Sequence, residues 1–158
     1  MPAQALLAVE DIDLEQTVFD IDAIRKRNAQ RYDLEMLDRI VHLDSDAGLI
    51  AAVRDIRDDE FWVRCHFPQE PILPGVLMIE AAGQLCSFYF SEVTEVPGVI
   101  GFASCDQVKF RGLVRPGERL VMVGQMTSLT PRRARFKAQG FVDGKQIFQA
   151  EVTGMAVL

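Results

Sequence analysis

The stretch from Cys65 to Phe90, CHFPQEPILPGVLMIEAAGQLCSFYF, decides how the rest of the chain is organised. It opens with a histidine, continues through three prolines, and ends in a long apolar run that follows Gly75. Proline favours the first turn of a helix, where its missing N–H removes no intrahelical hydrogen bond. The run is apolar on nearly every face, which is typical of a helix buried inside a domain. We therefore predict a buried helix that begins at Pro74–Gly75 and ends near Ser91.

One polar stripe crosses this helix, with members at i, i+4, i+7 and i+11: Glu80, Gln84, Ser87 and Ser91. It is either the solvent-facing edge of an amphipathic helix or a functional group among apolar neighbours. Apolar surroundings favour the neutral, proton-donating form of a carboxyl group. His66, tethered by the prolines on the same stretch, favours the second interpretation, because a neutral imidazole and a protonated carboxyl group form an acid–base pair. His66 and Glu80 are therefore the candidate catalytic residues.

Length and charge limit the possible functions. At 158 residues the chain has the length of one domain, and its net charge of −6 argues against a general nucleic-acid binder. The charge is unevenly distributed, because residues 109–137 hold eight basic side chains against one acidic one. This basic region indicates either a specific anionic partner or a solvated face of mixed charge.

The cysteines and the apolar runs bear on the compartment. The three cysteines, at positions 65, 86 and 105, lack metal or redox spacing and fit free thiols in a reducing environment. The N-terminus lacks a signal-peptide pattern, and no apolar run reaches membrane-spanning length. We expect a soluble, cytoplasmic protein with no membrane span and no bound metal.

The remaining chain predicts an antiparallel sheet. Residues 1–19 carry weak signals and are expected to form an extension or a loosely packed arm, while residues 20–158 form a single domain. The segment after Asp20 and Asp22 is either a short helix capped by one of them or a loop, since its three consecutive basic residues fit both. Predicted strands cover residues 36–43, 48–56, 61–65, 99–111, 120–129, 133–142 and 145–157. The prediction is an α+β domain whose antiparallel sheet wraps around one long buried helix.

These residues resemble a known family. One motif is similar to the signature of the 3-hydroxyacyl-(acyl carrier protein) dehydratases of bacterial fatty-acid synthesis. It consists of His66-Phe67-Pro68, Pro71, Pro74-Gly75-Val76-Leu77, Glu80-Ala81 and Gln84. The likeness extends to Lys109-Phe110 and to residues 114–118, and it covers about residues 20–157 in total. The resemblance implies the hot-dog fold.

This chain departs from the family pattern in three places. Gln69 stands where the family usually has glycine, and Gly83 replaces a bulkier helix residue. Segment 28–35 differs from the segment that borders the substrate entrance in relatives. The sequence therefore defines the reaction more closely than it defines the substrate.

The resemblance also implies a mechanism. The reaction would convert (3R)-hydroxyacyl thioesters carried on acyl carrier protein to trans-2-enoyl thioesters. His66 would act as the base, Glu80 as the acid and the backbone N–H of Gly75 as the oxyanion donor, with Gln84 supporting the acid. No cofactor is expected.

The same resemblance implies partners. Acyl carrier proteins are acidic, so the candidate docking residues are Arg133, Arg135 and Lys137 on one face of a strand, with Arg111 or Arg115 nearby. In this family two chains pair their sheets edge to edge, and each site takes its histidine from one chain and its carboxylate from the other. We therefore expect a homodimer, and the sequence leaves open whether dimers assemble further into a trimer of dimers.

Two rival functions stay open. A hot-dog thioesterase would use a helix carboxylate to activate water, although the His-Phe-Pro motif argues against it. A catalytically weak carrier-binding protein would keep the fold alone, although the presence of both His66 and Glu80 argues against it. A thiol nucleophile at Cys65 is disfavoured, because adjacent residues of an extended segment point to opposite sides.

Overall fold

The computed structural model describes residues 3–157, which form one six-stranded antiparallel sheet and a long central helix. The strands lie in the order β1-β2-β4-β5-β6-β3. Their bounds are β1 Arg39–Asp44, β2 Leu49–Asp55, β3 Ile100–Phe110, β4 Arg119–Leu129, β5 Arg133–Val142 and β6 Lys145–Ala156. The helices are α1 Ile21–Arg27 and α2 Gly75–Thr94, with 3-10 turns at Val9–Asp11 and Tyr32–Leu34. This is the predicted hot-dog architecture.

Helix α2 is buried as the sequence predicts. Pro74 precedes its first residue, and the helix continues three residues beyond the predicted end to Thr94. It ends where Glu95 adopts a left-handed conformation with φ of 53°, and the Glu95 N–H donates to the carbonyl of Ser91. The helix contacts every strand from β2 to β6. The sheet therefore wraps around α2 and removes most of its apolar surface from water.

Strand β5 shows how alternation decides which residues face the helix. Its Ala134, Phe136 and Ala138 are buried against α2 in the main core. The intervening Arg133, Arg135 and Lys137 are exposed on the outer face, as the sequence alternation predicts. The two hairpin residues 143 and 144 join β5 to β6 with φ of 49° and 74°. These positive angles explain why Asp-Gly occupies the turn.

The N-terminal segment is packed rather than loose, so the expectation of a loosely packed arm is wrong. Val9 and Ile12 are buried in a second apolar cluster on the outer face of the sheet, over Val41, Val121 and Phe141. The segment is also fixed through Gln139 of β5, which accepts from the Leu6 N–H and donates to the Gln4 carbonyl, both at 2.9 Å. The apolar side chains of this segment are not spaced with the period of a helix or a strand. The sequence therefore does not predict that they pack on the outer face of the sheet.

The predicted strand at 61–65 is wrong, since this segment is a series of turns. The N–H groups of Val63 and Cys65 donate to the carbonyls of Glu60 and Trp62 three residues earlier, both at 3.0 Å. Trp62 is 1% exposed, and its indole N–H donates to Glu60 at 2.7 Å. A buried indole needs a hydrogen-bond acceptor, and a carboxylate two residues away is reached by a turn. The other predicted strands are confirmed to within a few residues at each end.

Two smaller expectations are also resolved. Asp20, not Asp22, caps α1, because its carboxylate accepts from the Ala23 N–H at 2.9 Å. Among the helices within residues 3–157, none has the length and apolarity needed to cross a membrane.

Candidate active site

The loop before α2 holds His66 in one orientation. The His66 N–H donates to the Trp62 carbonyl at 2.7 Å, and the His66 carbonyl accepts from the Ile72 N–H at 2.9 Å. Its ring Nδ1 lies 2.8 Å from the Ile72 carbonyl oxygen. A carbonyl only accepts, so Nδ1 carries a hydrogen. In the neutral ring, Nε2 is then the nitrogen with a free lone pair.

Gly75 begins α2 and lies against an aromatic ring. First-turn N–H groups of a helix lack intrahelical acceptors, so the Gly75 N–H is a donor at the positive end of the helix. A Cβ at this position would lie 2.9 Å from Cε1 of Phe110. Glycine is therefore required here for the approach of Phe110, a reason that the sequence did not reveal.

Glu80 lies one turn before Gln84 on α2, and Gln84 fixes its position. Gln84 Nε2 donates to Glu80 Oε1 at 2.9 Å and to the Leu34 carbonyl at 2.6 Å. Gln84 Oε1 accepts from the Met36 N–H at 2.9 Å, which determines the orientation of the amide. One oxygen of Glu80 is thus held, and Oε2 remains available for chemistry.

The polar stripe does not face solvent, so that interpretation is wrong. Gln84, Ser87 and Ser91 are 2%, 7% and 3% exposed, and all three lie inside the domain. The segment after α1 covers part of the stripe. Asn28 Nδ2 donates to the main-chain carbonyl of Gln84 at 2.9 Å. Sequence reasoning missed Asn28 as a member of this network, because its partner is a backbone group.

A narrow cavity of about 30 Å³ lies beside Glu80, between α2 and the sheet. This is space on the scale of one or two water molecules. Helix residues Glu80, Gly83, Cys86, Ser87 and Phe90 form one wall, and strands β3, β5 and β6 form the others. Its lining is mainly apolar, with the carboxyl group of Glu80 at one side. The cavity can thus hold an apolar group next to a carboxyl group.

Phe102 of β3 narrows this cavity at Gly83. A Cβ on Gly83 would lie 2.5 Å from Cε2 and Cζ of Phe102, so the ring occupies the space that a side chain would fill. The space that glycine leaves at this position is therefore filled by Phe102. The ring is 48% exposed, so it covers Gly83 with one side while its other side faces solvent in the single chain.

Cys86 and Cys65 differ in their surroundings. Burial raises the pKa of the Cys86 thiol well above its usual range, and nearby Cys105 raises it further. The thiolate is the reactive form, so this cavity-lining thiol is a poor nucleophile. Cys65 is exposed, and its thiol donates to the Trp62 carbonyl at 3.4 Å. Among the described residues, no group of three histidine, cysteine or carboxylate side chains is placed to hold a metal ion.

His66 is not among the residues that line the cavity beside Glu80. The two candidate catalytic groups therefore do not both line this cavity. Strand β3, which carries Phe102 and borders this cavity, is an edge of the sheet.

The candidate docking residues lie on two different parts of the surface. Arg133, Arg135 and Lys137 form a row on the outer face of β5, which we call the basic row. Arg111 donates to Gln149 at 3.2 Å, and Gln149 faces Gln139, the next outward residue of β5. Arg115 instead pairs with Glu70 of the loop before α2, at 3.0 Å.

Comparison with known proteins identifies the family. The model of the FabA-like domain matches residues 28–151. The chain is 32% identical over 136 residues to the 3-hydroxyacyl-[acyl-carrier-protein] dehydratase FabZ of Clostridioides difficile (strain 630), covering 85% of this chain and 95% of the relative. It is 31% identical over 144 residues to the FabZ of Albidiferax ferrireducens, covering 89% of this chain and 95% of the relative.

Solved structures agree on the fold. The dehydratase heterocomplex ApeI:P from Xenorhabdus doucetiae matches with a TM-score of 0.73 at 11% identity, covering 85% of this chain and 91% of that chain. A putative thioesterase related to phenylacetic acid degradation, from Ralstonia eutropha JMP134, matches with a TM-score of 0.61 at 14% identity, covering 74% and 83%. At these identities the likeness concerns the fold alone. The family match and the two FabZ relatives identify the family as well as the fold. The chain belongs to the FabA-like family, as a FabZ-type hot-dog dehydratase.

Proposed function

We propose that the protein dehydrates (3R)-hydroxyacyl thioesters carried on acyl carrier protein to trans-2-enoyl thioesters, as a step of fatty-acid biosynthesis. The observation that carries this proposal is the contact of His66 Nδ1 with the Ile72 carbonyl at 2.8 Å. It leaves Nε2 as the basic nitrogen of a histidine in a FabZ-type motif. Membership of the family and the substrate named for both FabZ relatives support the same reaction.

The proposed reaction begins with the base. Nε2 of His66 takes a proton from C2 of the substrate, next to the thioester carbonyl. Negative charge then develops on the carbonyl oxygen. The N–H of Gly75, at the positive end of α2, donates a hydrogen bond to that oxygen and stabilises the charge.

The acid completes the step. The electron pair of the C2–H bond forms the C2=C3 double bond as the C3–O bond breaks. The leaving oxygen takes a proton from Glu80 and departs as water. Gln84 holds Oε1 of Glu80 at 2.9 Å, so the proton is delivered from the other oxygen. The products, an enoyl thioester and water, account for all atoms of the substrate, so the step needs no cofactor. The enzyme recovers its starting protonation state when His66 returns a proton to Glu80 through water.

We further propose that the site is shared between two chains of a homodimer. The cavity beside Glu80 is lined without His66, so a histidine from a second chain would complete it. Edge strand β3 is 11 residues long and carries Phe102 and Phe110, which are 48% and 50% exposed. A long edge with exposed aromatic residues favours pairing with a second strand. Pairing of two β3 strands would cover both rings.

The basic row is the proposed docking surface for the acidic carrier protein. Its three cations lie on the outer face of β5, and the inner face of the same strand lines the cavity with Ala134 and Phe136. Complementary charge mainly speeds encounter and fixes orientation, so its contribution depends on ionic strength.

One assay tests the proposed reaction against its rivals. The protein is mixed with a crotonyl thioester and then with a 3-hydroxybutyryl thioester of pantetheine. Interconversion of the two, followed by enoyl absorbance, is the expected result. Release of free thiol would identify a thioesterase instead. Neither change, with a protein that still binds acyl carrier protein, would identify a carrier-binding protein without this activity.

A further inference from the structure

Gln30 lies beside the proposed acid and has no part in the mechanism described above. It belongs to the segment between α1 and β1, and it lines the same cavity as Glu80. Its amide oxygen Oε1 is buried and has no hydrogen-bond partner among the described residues. A buried acceptor without a donor is unfavourable, so a donor is expected to reach it when the site is occupied.

The backbone around Gln30 is fixed by hydrogen bonds. Arg31 Nη1 donates to the carbonyls of Asn28 and Gln30, both at 2.7 Å. Asn28 in turn donates to the carbonyl of Gln84, one helical turn after Glu80. The same Gln84 binds the segment again through Leu34 and holds Glu80. The position of Gln30 relative to the acid is therefore set by a built network and not by a free loop.

The chemistry of the site limits which donor can serve. The acyl chain of the proposed substrate, which is the part that enters the cavity, has one O–H group, the 3-hydroxyl. Glu80 must give a proton to the hydroxyl oxygen, so its available oxygen acts as a donor and cannot also accept the hydroxyl hydrogen. Another acceptor is needed for that hydrogen, and the amide oxygen of Gln30 is one.

We propose that Gln30 binds the 3-hydroxyl group of the substrate, accepting its O–H while Glu80 protonates its oxygen; the inference rests on the proposed function. As the C3–O bond breaks, the oxygen keeps the hydrogen that faces Gln30 and gains the proton from Glu80. The water that forms then leaves the cavity, so the contact with Gln30 is absent from the complex with the enoyl product. Gln30 thus distinguishes substrates that carry a hydroxyl group from those that do not.

This role has a kinetic signature. The hydroxyl contact exists in the bound 3-hydroxyacyl substrate and in the transition state, but not in the bound enoyl product. Its loss should raise KM for dehydration with little change in kcat, and lower kcat for hydration with little change in KM. The equilibrium constant requires kcat/KM to fall equally in both directions. Loss of one hydrogen bond corresponds to a fall of roughly 3- to 10-fold.

The test uses Gln30→Met, which keeps the length of the side chain and removes the amide. Initial rates are measured in both directions with 3-hydroxybutyryl and crotonyl pantetheine thioesters. The matched control is Gln125→Met on β4. Gln125 lines a different cavity, together with Lys137 and Gln139, so its replacement removes an amide away from Glu80 and should leave all four constants unchanged. Gln30→Asn is the second variant, since it keeps the amide but withdraws it by one carbon. It should likewise raise KM for dehydration and lower kcat for hydration.

Each outcome decides a different point. A higher KM for dehydration together with a lower kcat for hydration, in either Gln30 variant, supports the proposal. A fall of kcat in both directions with unchanged KM would show a structural role and overturn it, as would unchanged constants. A wild-type protein that interconverts neither thioester overturns the proposed function itself, and that result is separate from any effect of Gln30.

Discussion

At the scale of single residues, the acid–base pair is the first point to test. Replacing His66 by alanine or Glu80 by glutamine removes a proton-transfer group while leaving the loop and helix backbones in place. We expect kcat to fall by roughly 10²- to 10⁴-fold in each variant. Steady-state rates with a crotonyl pantetheine thioester give the measurement, and circular dichroism checks that the variants are folded.

His42→Gln provides the matched control, because His42 lies on β1 and is the only other histidine of the chain. It should keep near wild-type activity. Near-full activity of His66→Ala or Glu80→Gln with a verified substrate would remove that residue from the mechanism.

Gly83 is the second residue whose role can be measured. Alanine at this position gains roughly 1 kcal/mol in helix propensity over glycine. Its Cβ would, however, lie 2.5 Å from the Phe102 ring, and such overpacking destabilises by about 1–3 kcal/mol. Gly83→Ala should therefore lower the free energy of unfolding in the native background and raise it when Phe102 is alanine. Urea unfolding of the four proteins gives the cycle.

The change of sign is the informative result. If Gly83→Ala has the same effect with and without the Phe102 ring, the two residues are not coupled. The ring then does not depend on the space over Gly83, and the narrow cavity has another cause.

At the scale of secondary-structure elements, β5 carries the proposed docking surface. Arg133→Glu with Arg135→Glu reverses two charges of the basic row. We expect KM to rise for a substrate linked to acyl carrier protein and to stay unchanged for the short pantetheine thioester, which has no carrier to dock. The difference should shrink as salt is added, because exposed charges are screened.

The control for this variant reverses two exposed charges elsewhere, Arg57→Glu and Lys145→Glu. Its KM for the carrier-linked substrate should rise less. An equal rise for both substrates in the β5 variant would mean that the charges act on the site and not on the carrier.

The elements also show how far the sequence could be read. Helix α2 and the alternation of β5 were predictable, because an apolar run and a period of two are local properties. The turns around Trp62 were not, since their geometry depends on one indole N–H reaching Glu60. Within the site, Glu80 and Gln84 share a helix face and could be paired from spacing alone. Gln84 also binds Leu34 and Met36 through backbone groups, which no side-chain pattern reveals.

At the scale of the whole molecule, the proposal of a shared site rests on where the fold places the two candidate catalytic groups. The cavity beside Glu80 is bounded by α2 and by strands that include β3, which lies at the edge of the sheet. His66 lies on the loop before α2 and outside this cavity. A second chain that pairs along β3 could bring its own His66 to Glu80. The two groups would then belong to different chains in each site.

Mixing two inactive variants tests the shared site. His66→Ala and Glu80→Gln are unfolded together in equal amounts and refolded. If sites are shared, each heterodimer contains one site that lacks both groups and one native site. Random pairing makes half of the dimers heterodimers, so about a quarter of the wild-type activity should return for a two-fold symmetric dimer. Subunit exchange is confirmed with two distinguishable tags. If each site were built within one chain, every site in the mixture would still lack one group, and activity would stay at the level of the parents.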